Sequence, residues 1–361
     1  MPDNQRKDED AILEALGSVL DPVFEKDIVG LGDVRNLTLT EGRAEFDLVL
    51  PTPAHPFRDK IRADAEAAVQ GVAGVAKVLV RMEAEVPPDG RTRGLAASPI
   101  KNAVAIASGK GGVGKTTVAV NVAAALAKAG ASVGLLDADV YGPNVPTMLG
   151  VDRMPPPREN KMVPAEAYGV KLISIAFMVE PGQPLIWRGP MLHSAIRQFI
   201  SDVSWGDLDY LIVDLPPGTG DAPLSLTQSM PLSGAAIVTL PQKVSLDDAR
   251  RGLEMFRTMD VPILGVIENM SFLELPDGSK MDVFGQGGGR QLAEQSKVRY
   301  IGAVPMDPSV RQASDSGVPV VISQPESAVA RALTAAAEDI AGQVSFLALQ
   351  SGNVIPLEIL D

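Results

Sequence analysis

One decapeptide restricts what this chain can fold into more than any other feature: SGKGGVGKTT, Ser108 to Thr117. Gly109, Gly114, Lys115 and Thr116 satisfy the spacing G-x-x-x-x-G-K-[ST], directly behind the apolar stretch KNAVAIAS and directly before the Ala-rich stretch TTVAVNVAAALAKAG. The order strand, glycine loop, helix follows from the chemistry of holding phosphates. Glycines let backbone N–H groups curl around an anion, and the helix N-terminus adds the positive end of its dipole. Lys115 is suited to neutralise β- and γ-phosphates, and the Thr116 hydroxyl to enter a Mg²⁺ shell. Lys110, Gly111, Gly112, Val113 and Thr117 complete the candidate nucleotide-binding set.

From Lys101 onward, short and nearly continuous apolar runs alternate with helical stretches. KNAVAIAS, ASVGLLDAD, KLISIAF, LDYLIVDL, AAIVTL and VPILGVIEN read as strands buried on both faces. SLDDARRGLEMFRTM (245–259) has the pattern of an amphipathic helix between two of them. The alternation predicts an α/β fold with a doubly wound, mostly parallel sheet. Two of the strands end in carboxylates: Asp137 and Asp139 in DAD, and Asp214 in VDLPPGTGD. Carboxylates at the carboxyl ends of parallel strands surround the same crevice as the phosphate loop, where they can hold Mg²⁺ and orient an attacking water. The segment 153–169 reads as an irregular excursion, and the tail from 351 to 361 as loosely packed.

Residues 1–86 read as a separate small α/β domain. Ile12, Leu13, Leu16, Val19 and Leu20 have helical spacing, VRNLTL and AEFDLVL form strands around Glu41-Gly42, a helix spans about 57–70, and VAKVLVR is a third strand. Pro87-Pro88-Asp89-Gly90 opens a Pro-, Gly- and Ala-rich linker to residue 100, ahead of the nucleotide-binding domain at 101–350. As flexible chain it would span on the order of 20 Å.

The balance of 32 basic against 45 acidic residues, net −13, argues against nucleic acid or an anionic membrane as partner. No run approaches the ~20 apolar residues of a membrane span, and the N-terminus lacks the pattern of a signal peptide, so a cytoplasmic location is expected. There is no cysteine, which excludes disulfides and any metal or cluster site built on the chain's own sulfurs.

KGGVGKTT resembles the deviant Walker A loop of the MinD, ParA and nitrogenase iron protein family. In that family the extra lysine reaches the nucleotide of a dimer partner, so the resemblance implies a homodimer, ATP at its interface, and Lys110 as a cation supplied in trans. DADVYGPNVPTMLG (137–150), WRGPMLHSAIRQFI (187–200), WGDLDYLIVDLPPGTGDAPLSLTQ (205–228), VTLPQKVSLDDARRGLEMF (238–256) and VPMDPSVRQASDSGVPV (304–320) narrow the resemblance to the Mrp/ApbC group of iron–sulfur cluster carrier ATPases. DPVFEKDIVGLG (21–32) and TPAHP (52–56) resemble a small iron–sulfur-assembly domain that accompanies them. The resemblance implies a slow ATPase with Lys110, Lys115 and Asp139 catalytic, Thr116, Asp137 and Asp214 at Mg²⁺, Asn269 at the adenine, and iron–sulfur assembly or client proteins as partners.

The pattern breaks at two places, the first being TPAHP, which lacks the cysteine that many relatives of the N-terminal domain carry in the segment of His55. Cluster-carrying members place C-P-x-C after ENMS, and two protomers share a [4Fe–4S] cluster through those thiolates. This chain reads ENMSFLELPDGSKMDVFG; Pro276 and the following DVFG keep the register, which puts Leu275 and Gly278 at the two cysteine positions. Neither ligates iron. Glu274, Asp277 and Asp282 are hard donors ill matched to a cluster. His55 and His193 are the only histidines, and the residues leave two functions open: a cluster carrier, or a nucleotide switch that recruits a cysteine-bearing partner.

Overall fold

The computed structural model describes residues 2–94, 100–178, 189–275 and 277–352. It divides into two compact units, Met1–Pro87 with Ala341–Phe346, and Pro88–Ile340 with Leu347–Asp361.

In the first unit, α1 (Pro2–Leu16) precedes a short hairpin of β1 (Leu20–Asp21) and β2 (Lys26–Asp27). A three-stranded sheet follows, with β4 (Arg43–Leu50) in the centre, antiparallel to β3 (Val34–Thr40) and parallel to β5 (Lys77–Ala84). The β3–β4 reversal is the expected two-residue turn: Glu41 and Gly42 have φ of 50° and 76°, the positive pair that matches strand twist. Helix α2 (Arg58–Gln70) crosses between β4 and β5. Its Ile61, Ala65 and Val69 recur every fourth residue and are all buried against Phe46 and Leu48.

This small core also contains charge. Asp21 Oδ1 accepts the N–H groups of Val23 (2.7 Å) and Phe24 (3.4 Å), while its Oδ2 faces His55 Nε2 at 3.1 Å. His55 Nδ1 accepts the Phe57 N–H, while its Nε2 and Asp21 Oδ2, both buried, face each other without a hydrogen bond. Nearby, burial and then the Asp21 charge push the Asp33 carboxyl up to about 7 against the pull of Arg35. Below about pH 4 that carboxyl is protonated in both folded and unfolded chains. Between about 4 and 7 only the folded chain keeps the proton, so stability falls as pH rises through this window. Asp33→Asn mimics the protonated acid. By calorimetry it should match the parent near pH 4 and exceed it by up to about 4 kcal/mol near pH 8. Superimposable pH profiles would remove Asp33 from this account.

The second unit is built on an eight-stranded sheet, ordered β15-β12-β11-β6-β10-β7-β9-β8. The six expected strands form: β6 (Ile100–Ser108), β7 (Val133–Asp137), β9 (Val170–Ser174), β10 (Leu208–Asp214), β11 (Gly234–Thr239) and β12 (Ile263–Glu268). All pair in parallel and most of their residues are buried, as helices on both faces require. Two edge strands complete the sheet. β8 (Ala165–Ala167) lies inside the supposedly irregular 153–169 segment and runs antiparallel to β9, and β15 (Tyr300–Ala303) pairs with β12. Three or four half-buried residues carry too little periodicity to announce a strand.

The helices are α3 (Lys115–Lys128), α4 (Val145–Met148), α5 (Gly189–Ser201), α6 (Asp221–Ser229), α7 (Lys243–Thr258), α8 (Gly288–Gln295), α9 (Pro308–Asp315), α10 (Val320–Ser323) and α11 (Ala328–Gly352). A hairpin of β13 (Leu273–Glu274) and β14 (Lys280–Met281) stands apart from the sheet. The first strand, β6, is central between β10 and β11, and the chain winds outward from it in both directions. That reversal opens a crevice at the strands' carboxyl ends.

The front of the expected linker is not free chain. Asp89 N–H donates to Lys101 O (2.9 Å), the Thr92 hydroxyl donates to Asp89 O and Lys101 O, and Arg91 reaches Ser233 O. Gly90–Gly94 is a 3₁₀ turn fastened to the start of β6, because the buried Asp89 and Thr92 need these partners. Residues 95–99, Pro276 and the tail residues 353–361 lie outside the described residues.

Candidate nucleotide site

Each glycine of the phosphate loop answers a different constraint. Gly112 and Gly114 have φ of 80° and 81°, where a side chain is strained. Gly109 has no such angle. A Cβ there would lie 2.1 Å from the Asp248 carbonyl carbon, so the loop packs on the backbone of α7. This seam is invisible in the sequence, where Gly109 reads only as a phosphate-binding residue. A Cβ on Gly114 would come within 2.2 Å of Asn269 Nδ2, which donates to Val113 O at 2.8 Å. Asn269 therefore braces the loop from the end of β12.

Lys115, only 5% exposed, opens α3 and extends its ammonium to Asp214 Oδ1 (2.7 Å) and Asp139 Oδ2 (3.4 Å). The Thr116 hydroxyl donates to Asp214 Oδ2 at 2.7 Å. Lys115, Thr116, Asp139 and Asp214 thus meet as the sequence predicts. Asp137 is the register partner of Asp214 on the adjacent strand, but its carboxylate is committed elsewhere. Its Oδ2 accepts the Ser174 hydroxyl (2.8 Å) and the Val145 N–H (3.3 Å), and its Oδ1 accepts the Asp139 N–H (3.2 Å). Asp137 holds the start of α4 and the backbone of Asp139. Ser174, which sequence reasoning passed over, is its register partner on β9.

Burial, with the neighbouring Asp214 charge adding to it, pushes the Asp137 carboxyl up to about 7, against Ser174, the Asp139 N–H and Lys115. Burial also raises Asp214, opposed first by the Lys115 charge and then by its hydrogen bonds from Lys115 and Thr116. Asp139 Oδ1 accepts the Tyr141 N–H at 3.1 Å, which fixes the turn after β7. Tyr141 itself is 73% exposed.

Two cavities meet at this loop. One of about 340 Å³ is lined by Lys110, Gly112, Lys115, Thr116, Asp139 and Tyr141, among others. The second, about 320 Å³, has Thr117 and Asn269 at one side, apolar walls including Met148, Val304 and Met306, and Asp307 as a polar group. Thr117 lines both. The first suits phosphates, the second a flat apolar ring with polar edges. Lys110 is half-buried and its carbonyl accepts the Ser108 hydroxyl, while its ammonium makes no ion pair among the described residues.

The positions expected to carry cysteines sit in a closed turn. Gly278 N–H donates to Leu275 O (2.9 Å), Leu275 N–H to Ser279 O (2.8 Å), and Gly278 has φ of 80°. Asp277 accepts both the backbone and hydroxyl groups of Ser279. No group of three or more His, Asp or Glu side chains among the described residues is placed to hold a metal ion. His193 bonds Ser229 across α5 and α6 at 2.6 Å. No helix of the described residues is long and apolar enough to cross a membrane.

Comparison with known proteins agrees with this geometry. Residues 99–341 match the family model described as the NUBPL iron-transfer P-loop NTPase of the ParA group, and residues 9–80 that of an iron–sulfur cluster assembly protein. The iron–sulfur cluster carrier protein of Synechocystis is 52% identical over 353 residues, 94% of this chain and 99% of that one. That of Deinococcus radiodurans is 50% identical, covering 93% and 95%. Among solved structures, a nucleotide-binding protein of Archaeoglobus fulgidus in complex with ADP is 36% identical with a TM-score of 0.55, covering 60% of this chain and 87% of that one. The Pyrococcus furiosus cell division ATPase MinD, 24% identical with a TM-score of 0.50 over 66% and 98%, shares the fold. Loop, sheet and matched sequence agree: this chain belongs to the iron-transfer P-loop NTPases of the iron–sulfur cluster carrier family, with an iron–sulfur-assembly domain at its N-terminus.

Proposed function

We propose that this protein binds and hydrolyses ATP to drive the handling of iron–sulfur clusters, acting as a homodimer, with the cluster's thiolates supplied from outside the chain. The observation that carries the ATPase is the closed contact of Lys115, Thr116 and Asp214 beneath the glycine loop. Loop amides and Lys115 hold the β- and γ-phosphates, and the base enters the cavity beside Thr117 and Asn269. Thr116 and Asp214 offer hydroxyl and carboxylate oxygens, a hard donor set that suits Mg²⁺ directly or through water. When bound, Mg²⁺ neutralises charge on the β- and γ-oxygens.

Asp139 orients a water for in-line attack on the γ-phosphorus. The bond to the bridging oxygen breaks, ADP and phosphate leave, and the water's proton passes to solvent. Lys110, with no ion pair within its own described chain, reaches the partner protomer's nucleotide and stabilises the transferring phosphoryl group there. No step of this scheme passes through a cluster.

The absence of cysteine favours the second version of the function, in which a recruited partner supplies the sulfurs. Anaerobic reconstitution followed by desalting should leave no stoichiometric iron or sulfide on the protein alone. Retention only with added glutathione would make it a carrier with borrowed ligands, and no retention in either case a switch acting on a cysteine-bearing partner. Stoichiometric cluster without added thiol would defeat both.

A further inference from the structure

Two adjacent residues at the end of β12 grip different parts of the unit. Asn269 reaches the phosphate loop at Val113 O. Glu268, 1% exposed, holds the excursion that carries β13 and β14. Its Oε1 accepts the Ser271 hydroxyl (2.5 Å) and the Gly287 N–H (3.3 Å), and its Oε2 accepts the Gly289 N–H (2.5 Å). Ser271 and Gly287 are the two ends of that excursion, so one buried carboxylate clasps both.

The hairpin is also tied to the wall of the apolar cavity. Ser271 N–H donates to Val304 O (3.0 Å), Met306 N–H donates to Phe272 O (2.7 Å), and Leu273 bridges to Met306. Val304 and Met306 line that cavity. Strands of two residues each are far too short to be stable alone, so the hairpin's order is borrowed from these anchors. Its outer residues, Lys280, Met281 and Val283, are exposed.

We infer that Glu268 is a positioning residue which couples nucleotide occupancy to the order of the 272–283 hairpin. The inference rests on the nucleotide reading above. A bound nucleotide contacts both ends of the linkage, the loop braced by Asn269 and the wall at Val304 and Met306. Restraining the two anchors reduces the hairpin's local opening, because the hairpin has little stability of its own. Glu268 transmits this as the only side chain among those described that bonds both ends of the excursion. The turn at Leu275 and Gly278 carries no thiolate, so what the nucleotide controls there is shape and not ligation.

The test is amide hydrogen exchange of the full chain with and without ADP, in the parent, Glu268→Gln and Ser271→Ala. In the parent, ADP should slow exchange across 272–283 by about fivefold or more, the low end of typical coupling between sites. In both variants that difference should shrink to less than about twofold while ADP affinity stays within about twofold of the parent. A merely structural role for Glu268 would change exchange in both states alike and leave the ADP-dependent difference intact. Should Glu268→Gln fail to fold, Ser271→Ala decides alone, since it removes one arm of the clasp from a small side chain. Protection of 109–117 without any response at 272–283 in the parent would overturn the coupling and leave nucleotide binding standing. No protection at 109–117 would overturn both.

Discussion

Lys115→Ala should lower ATP turnover by about a thousandfold and sharply weaken nucleotide binding. The ammonium it removes is buried and lies 2.7 Å from one carboxylate and 3.4 Å from another. Taking it away deletes the cation aimed at the phosphates and leaves Asp214, wholly buried, without its counter-charge. The second effect alone could mimic the first through unfolding, so circular dichroism must accompany the assay. Where the alanine variant does not fold, Thr116→Ala tests the same site, because it removes the hydroxyl proposed to bind Mg²⁺ and no charge. Phosphate release and titration calorimetry supply the readouts. Unchanged binding and turnover in a folded Lys115→Ala protein would end the nucleotide assignment.

Lys110→Ala has a different signature. Nucleotide affinity should stay within about twofold while turnover falls by about a hundredfold, the loss expected when a transition-state cation is removed. The stronger form of the test mixes two inactive proteins. A dimer of one Lys110→Ala and one Lys115→Ala protomer contains one complete site, in which the first protomer's Lys115 and the second's Lys110 meet. Turnover should reappear on mixing. If Lys110 works only within its own chain, mixing restores nothing.

The fold was legible because its causes are local and repeated. Continuous apolar runs mark strands buried on both faces, and the loop's position between strand and helix requires a parallel sheet around it. The edge strands escaped because β8 and β15 have three and four residues. Within the site, Lys115, Thr116, Asp139 and Asp214 could be read from spacing and strand ends. Three features could not. The seam between Gly109 and α7 joins residues 139 positions apart and depends on helix placement. The clasp of Glu268 on Ser271, Gly287 and Gly289 depends on where an excursion returns. The commitment of Asp137 to Ser174 depends on sheet register, which no single strand's sequence reveals.

The left-handed Gly278 sets a cost on placing a thiol in this turn. A cysteine placed there would carry a Cβ in a conformation that costs roughly 1–2 kcal/mol for a non-glycine residue, within a turn already closed by its own hydrogen bonds. A thiol introduced at that position is therefore opposed by the local backbone conformation. The cost is conformational and not steric, since a Cβ at Gly278 would meet no atom within 4 Å.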